Sequence, residues 1–178
     1  GAIRNMFEKA RKMDNVISMG IGEPNQDTHK DICRVCADSL FAGNTHYAPN
    51  AGVLTLREAI SEHGTVMANM YDPETEIIVT NGAKHALYTA FQSLCSEEDE
   101  VIIPTPCWVS YPEMVRMAGG VPVPVYTTME QGFIPTYEQL RAAVTPRTKA
   151  IILNSPNNPT GAVWTREQLQ MAADIAKE

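Results

Sequence analysis

Three short stretches carry residue types that could hold a small molecule, and each follows an apolar run. The densest is AIILNSPNNPTG, residues 150–161, where Ile151, Ile152 and Leu153 drive into a loop crowded with Asn and Pro. The run reads as a strand buried on both faces, and Pro156 and Pro159 then forbid a helix or a continued ladder. The polar loop therefore leaves the carboxyl end of a buried strand, which is the ligand-binding edge of open α/β sheets. The second stretch is Thr80-Asn81-Gly82-Ala83-Lys84, between a strand-like run and a helical pattern. Gly and Ala there leave the first helix amides open, and the macrodipole adds about 0.3–1 kcal/mol for an anion, so the stretch reads as a phosphate cup. An ordinary βα turn would use the same Asn-Gly pair. The third is PTPCWVSY, residues 104–111, where Trp108 could stack on a flat aromatic ligand, worth about 0.5–1.5 kcal/mol beyond burial. It could equally be core. The argument for a site is that cup, aromatic plate and Asn-rich loop all fall on one edge of one sheet.

Other features weigh less. Gly20-Ile21-Gly22-Glu23-Pro24 resembles the start of a dinucleotide-binding loop, but Asn25 stands in place of the third glycine and Pro24 breaks the receiving helix. On its own it is a tight turn. Cys33 and Cys36 form a CxxC with neither a second CxxC nor a His pair nearby, half of a zinc ligand set, and Cys36 is expected on a buried stripe as a core cysteine. His46, in the turn-rich GNTHYAPNAG around Tyr47, reads as a surface residue.

The elements that must position these residues follow from periodicity. Ile3, Met6, Phe7 and Ala10 predict a helix over 3–13, and 16–19 is a short apolar piece. Thr28 with Asp31 can cap a helix whose apolar face runs Ile32, Val35, Cys36, Leu40. Leu56, Ala59, Ile60, His63, Val66, Met67 and Met70 mark a long amphipathic helix ended by Asp72-Pro73. Strands over 77–80, 101–103, 121–125 and 150–153 then alternate with helices over 83–95, 108–118, 137–144 and 166–178. Such alternation predicts an α/β fold, a mostly parallel sheet flanked by helices. Thr136 with Gln139 and Thr165 with Gln168 spell capping boxes at two of the helix starts.

Composition bounds the rest. A chain of 178 residues with 44% hydrophobic content can bury a core, and its length suggests one domain or one with an appendage. The net charge is −7, which disfavours nucleic acid and anionic membrane as partners. No apolar run approaches the ~20 residues that span a bilayer and no signal peptide opens the chain, so the reading is cytoplasmic. Four scattered cysteines do not make a disulfide framework. The chain stops at Glu178 inside an amphipathic pattern with no C-cap, and the expectation is a fragment.

Taken in order, GxGEPN, HYAPNAG, TNGAKHAL, PTPCWVSYPEM and NSPNNPTGAV carry a resemblance. From about Val16 onward the chain resembles the N-terminal portion of pyridoxal-phosphate-dependent aminotransferases of fold type I, in the class I/II group with bacterial aspartate and aromatic aminotransferases. The resemblance implies that residues 46–178 are the first half of the cofactor-binding large domain, and that 1–45 are N-terminal elements belonging partly to the small domain. It implies that Asn158 donates to the phenolic oxygen of the pyridoxal phosphate ring and that Trp108 stacks on that ring. Gly82, Ala83 and Lys84 would hold the phosphate, the first two through backbone amides. Gly22 would lie beside the α-carboxylate of the substrate. Tyr47 would reach the phosphate of a neighbouring subunit's cofactor, which implies a homodimer. Gln26 departs from the aromatic that many relatives carry there, which bears on packing of the N-terminal loop.

The implied reaction moves an amino group between an amino acid and a 2-oxo acid. In the family, the Asp at the pyridine nitrogen, the Tyr on the ring oxygen, the Lys that bonds the cofactor and the Arg that clamps the carboxylate all follow the NPTG loop by more residues than remain here. None of the lysines present is expected to replace that Lys. Lys149 precedes its strand, Lys9, Lys12, Lys30 and Lys177 lie on helix surfaces, and Lys84 meets the phosphate. The chain alone is therefore expected not to transaminate, with no catalytic residue of its own, and to self-associate through its incomplete sheet. A carbon–sulfur lyase of the same superfamily would share these motifs, and a non-catalytic dimerisation module is the alternative from another class.

Overall fold

The computed structural model describes residues 2–17, 20, 22, 24–63 and 71–178. The chain divides into two compact units, Gly1–Ala48 and Pro49–Glu178. In the first, α1 spans Ala2–Ala10 and α2 spans Lys30–Phe41. The expected helix over 3–13 thus ends earlier, and Ser18, Met19, Ile21 and Glu23 of the apolar piece and the glycine loop lie outside the described residues.

Helix α2 corrects two expectations. Its N-cap is His29, whose Nδ1 accepts from the Asp31 amide at 3.3 Å, and not Thr28. Asp31 instead pairs with Arg34, 3.1 Å away and one turn on. No residue of α2 is buried, so Cys36 is an exposed thiol and not a core cysteine. The stripe has helical spacing, but spacing only offers a face, and burial requires something packed on it.

The second unit begins with α3, Leu54–His63; Val66, Met67 and Met70 of the longer helix expected there lie outside the described residues. It continues with α4 (Ala83–Leu94), β1 (Glu100–Thr105), α5 (Ser110–Met117), β2 (Val121–Tyr126), α6 (Tyr137–Ala142), β3 (Thr148–Ile151) and α7 (Arg166–Lys177). The strands form a parallel sheet in the order β2-β1-β3, with Ile102 opposite Val123 on one side and Ile151 on the other. Parallel strands need crossovers, and here α5 links β1 to β2 and α6 links β2 to β3.

The central strand is buried on both faces, which explains why EVIIPT carries three consecutive β-branched residues instead of alternating with polar ones. Val101 and Ile103 enter one layer with Phe91, Tyr111, Met114 and Val115 from α4 and α5. Ile102 enters the other with Leu140, Ala172 and Ile175 from α6 and α7, and with Val125 and Trp164. Val101, Ile102, Ile103, Val115 and Leu140 are fully buried, each stabilising the fold by about 1.5–3 kcal/mol. Both capping boxes form: Thr136 accepts from the Gln139 amide and Thr165 from the Gln168 amide, each at 3.3 Å, and each Gln returns the bond at 2.9 Å.

Two strand expectations change. Residues 77–80 form no ladder among the described residues; Val79 donates its amide to the Ala51 carbonyl at 2.9 Å instead. Strand β3 covers 148–151, so Lys149 lies within it and not before it. Its apolar residues are only half-buried and Leu153 is exposed, because β3 has a paired neighbour on one side only among the described residues. One further bond, from the Ile152 amide to the Ile102 carbonyl at 2.9 Å, carries the chain toward the Asn-rich loop.

Candidate functional site

The site of the second unit is built at the carboxyl ends of β1 and β3. Gly82 is the N-cap of α4, with φ +82° and ψ 164°, backbone that side-chain-bearing residues almost never adopt. Its carbonyl accepts from the His85 and Ala86 amides, at 3.1 and 3.2 Å. The preceding loop is held by the Nδ1 of His85, which accepts from the Asn81 amide at 3.2 Å. No side chain caps the helix, and the amides of Ala83 and Lys84 donate to nothing among the described residues. They stand free at the positive end of a helix of 12 residues.

Lys84 leans toward the third stretch and places Nζ 5.0 Å from the centre of the Trp108 ring. Trp108 is half-buried, held edge-on by Tyr111 with ring centres 5.4 Å apart and planes at 89°. The indole thus has a fixed orientation and retains open surface. Burial pushes the Cys107 thiol up from its ordinary range. Burial, and then Cys107, do the same to the Tyr111 phenol. Both stay protonated at neutral pH, and neither is an activated nucleophile.

The Asn-rich loop is fixed from two sides. Trp164, buried in the α6/α7 layer, donates its amide to Ser155 Oγ at 3.0 Å. Asn157 reaches the other way: its Nδ2 donates to the Pro106 carbonyl at 3.0 Å and to Thr160 Oγ1 at 2.8 Å. Its main chain closes the loop, accepting from Gly161 and donating to Ala162. Asn157 is the residue that sequence reasoning missed. The signal was its place in a loop whose prolines remove backbone donors, where a side-chain amide must supply the ties. Asn158 is exposed; its amide donates to Asn154 Oδ1 at 2.9 Å, and its side chain bonds to nothing among the described residues. Beneath the two loops lies a cavity of about 10 Å³ lined by Cys107, Tyr111, Asn154 and Trp164, room for about one water.

The Lys84–Trp108 and Asn157–Pro106 contacts bring cup, plate and Asn-rich loop together in one place. Gly22 and Tyr47 belong to the first unit and are exposed there. Among the described residues, a Cβ added at Gly22 would meet nothing within 4 Å.

The sequence model of the family described as aminotransferase class I and II matches residues 14–178. An aspartate aminotransferase of Bacillus sp. (strain YM-2) is 50% identical over 170 residues, covering 96% of this chain and 43% of that protein. Among solved structures, the aspartate aminotransferase from Thermus thermophilus with maleate matches with a TM-score of 0.89 at 44% identity, over 99% of this chain and 46% of that one. The aromatic aminotransferase from Pyrococcus horikoshii matches with a TM-score of 0.85 at 41% identity, over 98% of this chain and 47% of that one. The chain spans less than half the length of each of these relatives.

Proposed function

The chain belongs to the class I and II aminotransferases, a family dependent on pyridoxal 5'-phosphate, and we propose that it supplies the phosphate- and ring-holding portion of such an enzyme. The parent reaction moves an amino group between an amino acid and a 2-oxo acid, as the names of its relatives suggest. The observation that carries this reading is the meeting of Lys84 and Trp108 beside two undonated amides. Free backbone N–H groups with an ammonium suit a phosphate, and an oriented, half-open indole suits a flat ring, so the donor set fits the cofactor.

In this reading the amides of Ala83 and Lys84 and the Lys84 ammonium bind the phosphate, and Gly82 keeps the approach open. Trp108 limits ring tilt on one side. Asn158 would donate its side-chain amide to the ring's phenolic oxygen, while Asn157 and Ser155 hold its loop still. When bound, the cofactor accepts the electrons released at the substrate Cα. Gly22 leaves room for the substrate carboxylate, and Tyr47 serves the cofactor phosphate of a second subunit in a cytoplasmic homodimer. Residues 1–45 belong partly to the small domain and 46–178 to the large one.

None of the three lysines of the second unit, Lys84, Lys149 and Lys177, is suited to bond the cofactor, and in this reading the chain alone does not transaminate. Lys84 is spoken for at the phosphate, Lys149 lies along β3 and Lys177 at the far end of α7. The test is intact mass after incubation with pyridoxal phosphate and borohydride, with peptide mapping. The expected result is reversible binding without a stoichiometric adduct. One equivalent of adduct on Lys84 would overturn both the cup assignment and the incompleteness.

A further inference from the structure

Among the described residues, the segment that delivers the cup, 77–80, is paired with no strand. Ile78 of this segment is 65% exposed, and Thr80 leads directly into Asn81 and Gly82. Arg57 of α3 addresses the same segment at both ends. It is 8% exposed, and among the described residues every hydrogen bond of its guanidinium goes to a backbone carbonyl. Nε donates to Gly52 at 3.2 Å, and Nη1 donates to Glu74 at 3.0 Å and to Pro73. Pro73 and Glu74 open the turn that runs into residue 77, a turn closed on itself by Asp72, which accepts from the Glu74 amide and the Thr75 hydroxyl. Gly52 and Ala51 form the shelf on which Val79 rests. The Ala51 carbonyl accepts from the Val79 amide, and a Cβ at Gly52 would come within 2.8 Å of the Val79 Cβ. That glycine, at φ +94°, is required by the close approach as well as by its backbone.

We infer that Arg57 is a positioning residue for the phosphate cup, tying the turn before residue 77 and the shelf under Val79 into one rigid support. A buried guanidinium is costly unless its donors are met, and charge-assisted bonds to carbonyls are the strong kind, so the three acceptors are held in fixed relation. Arg57 touches no ligand in this arrangement; it acts through Gly52, Val79 and Thr80 on the placing of the Ala83 and Lys84 amides. Its effect on a ligand rests on the cup's binding phosphate, as proposed above.

The test uses the chain as it stands, with Arg57→Gln and Arg57→Lys. Amide hydrogen exchange is read at Val79, Asn81 and Gly82, whose N–H groups are bonded, and at Val101 to Ile103 in the central strand. In parallel, affinity is compared for pyridoxal phosphate and for pyridoxal, which lacks the phosphate. Arg57→Gln is expected to speed exchange at the three cup residues with β1 unchanged. It should also cut the preference for the phosphorylated ligand about tenfold, with Arg57→Lys between it and the parent. Unchanged exchange at the cup, or equal acceleration in β1, would overturn the positioning role. Should the parent chain bind both ligands alike, the cofactor reading fails, and the exchange data still decide Arg57 by themselves.

Discussion

Lys84 holds its ammonium 5.0 Å from the centre of the Trp108 indole, so the cation of the cup and the plate beside it form one unit. An exposed pairing of this kind stabilises by about 0.5–1 kcal/mol, little enough for an incoming anion to draw the lysine away. The two side chains should separate in a ligand titration. Trp108→Ala is expected to weaken pyridoxal phosphate and pyridoxal alike, by roughly 2- to 12-fold. Lys84→Met should weaken only the phosphorylated ligand, and calorimetric titration of both would show it. Equal losses for the two ligands in Lys84→Met would place the ammonium elsewhere.

Gly82 sits where only glycine is comfortable, and among the described residues nothing lies within 4 Å of where its Cβ would be. Gly82→Ala therefore acts through the backbone alone, with an expected loss of about 1–3 kcal/mol in urea unfolding. An unchanged midpoint would mean that the turn before α4 has a second conformation of equal energy.

Asn157 spends its side-chain amide on Pro106 and Thr160. Asn157→Ala should cost about 1–3 kcal/mol, and Asn157→Asp at least as much, since a carboxylate would face the Pro106 carbonyl. Denaturation curves measure both. Asn158→Ala, in contrast, should leave stability nearly untouched, because no bond from that side chain holds the fold.

Glu100 is buried at the start of β1, where it accepts from Thr145 Oγ1 at 2.5 Å and from Arg147 Nε and Nη2 at 3.1 and 2.8 Å. The Thr145 hydroxyl and then Arg147 hold its carboxyl below the usual range. A depressed folded-state value contributes stability that is present above the unfolded value, about 4.3, and lost as pH falls through the folded one. Unfolding midpoints should therefore drop as pH falls from about 5 toward 3, and Glu100→Gln should flatten that slope while lowering stability at neutral pH. A slope unchanged in Glu100→Gln would assign the acid sensitivity to other carboxylates.

What was legible in the sequence was what is local. The capping boxes at Thr136 and Thr165 involve residues three apart, and they form as read. The central strand was equally plain, since a run as apolar as Val101-Ile102-Ile103 has few other fates. Pairing is not local: residues 77–80 have strand-forming side chains, but a strand exists only beside another, and here the partner is a shelf at Ala51. The same limit explains Cys36, which has the spacing of a buried residue on a face left exposed among the described residues. Within the site, the Asn-Asn doublet of 157–158 yields one candidate from sequence, Asn158, and leaves Asn157 unnoticed. Only the coordinates tell which amide is committed to the loop and which is free.

The Asn-rich loop has a foot in each layer of the second unit, Ser155 on Trp164 and Asn157 on the loop that carries Trp108. A strip of chain pinned to two bodies measures the gap between them. A core change in either layer, such as Leu140→Ala behind Trp164 or Met114→Ala behind Trp108, would move one pin relative to the other. Asn158, next to the Asn157 pin, would register that shift with no change in its own surroundings. Slow sequence drift in the two cores is thereby constrained to be mutual: each layer can repack only as far as the other keeps the spacing.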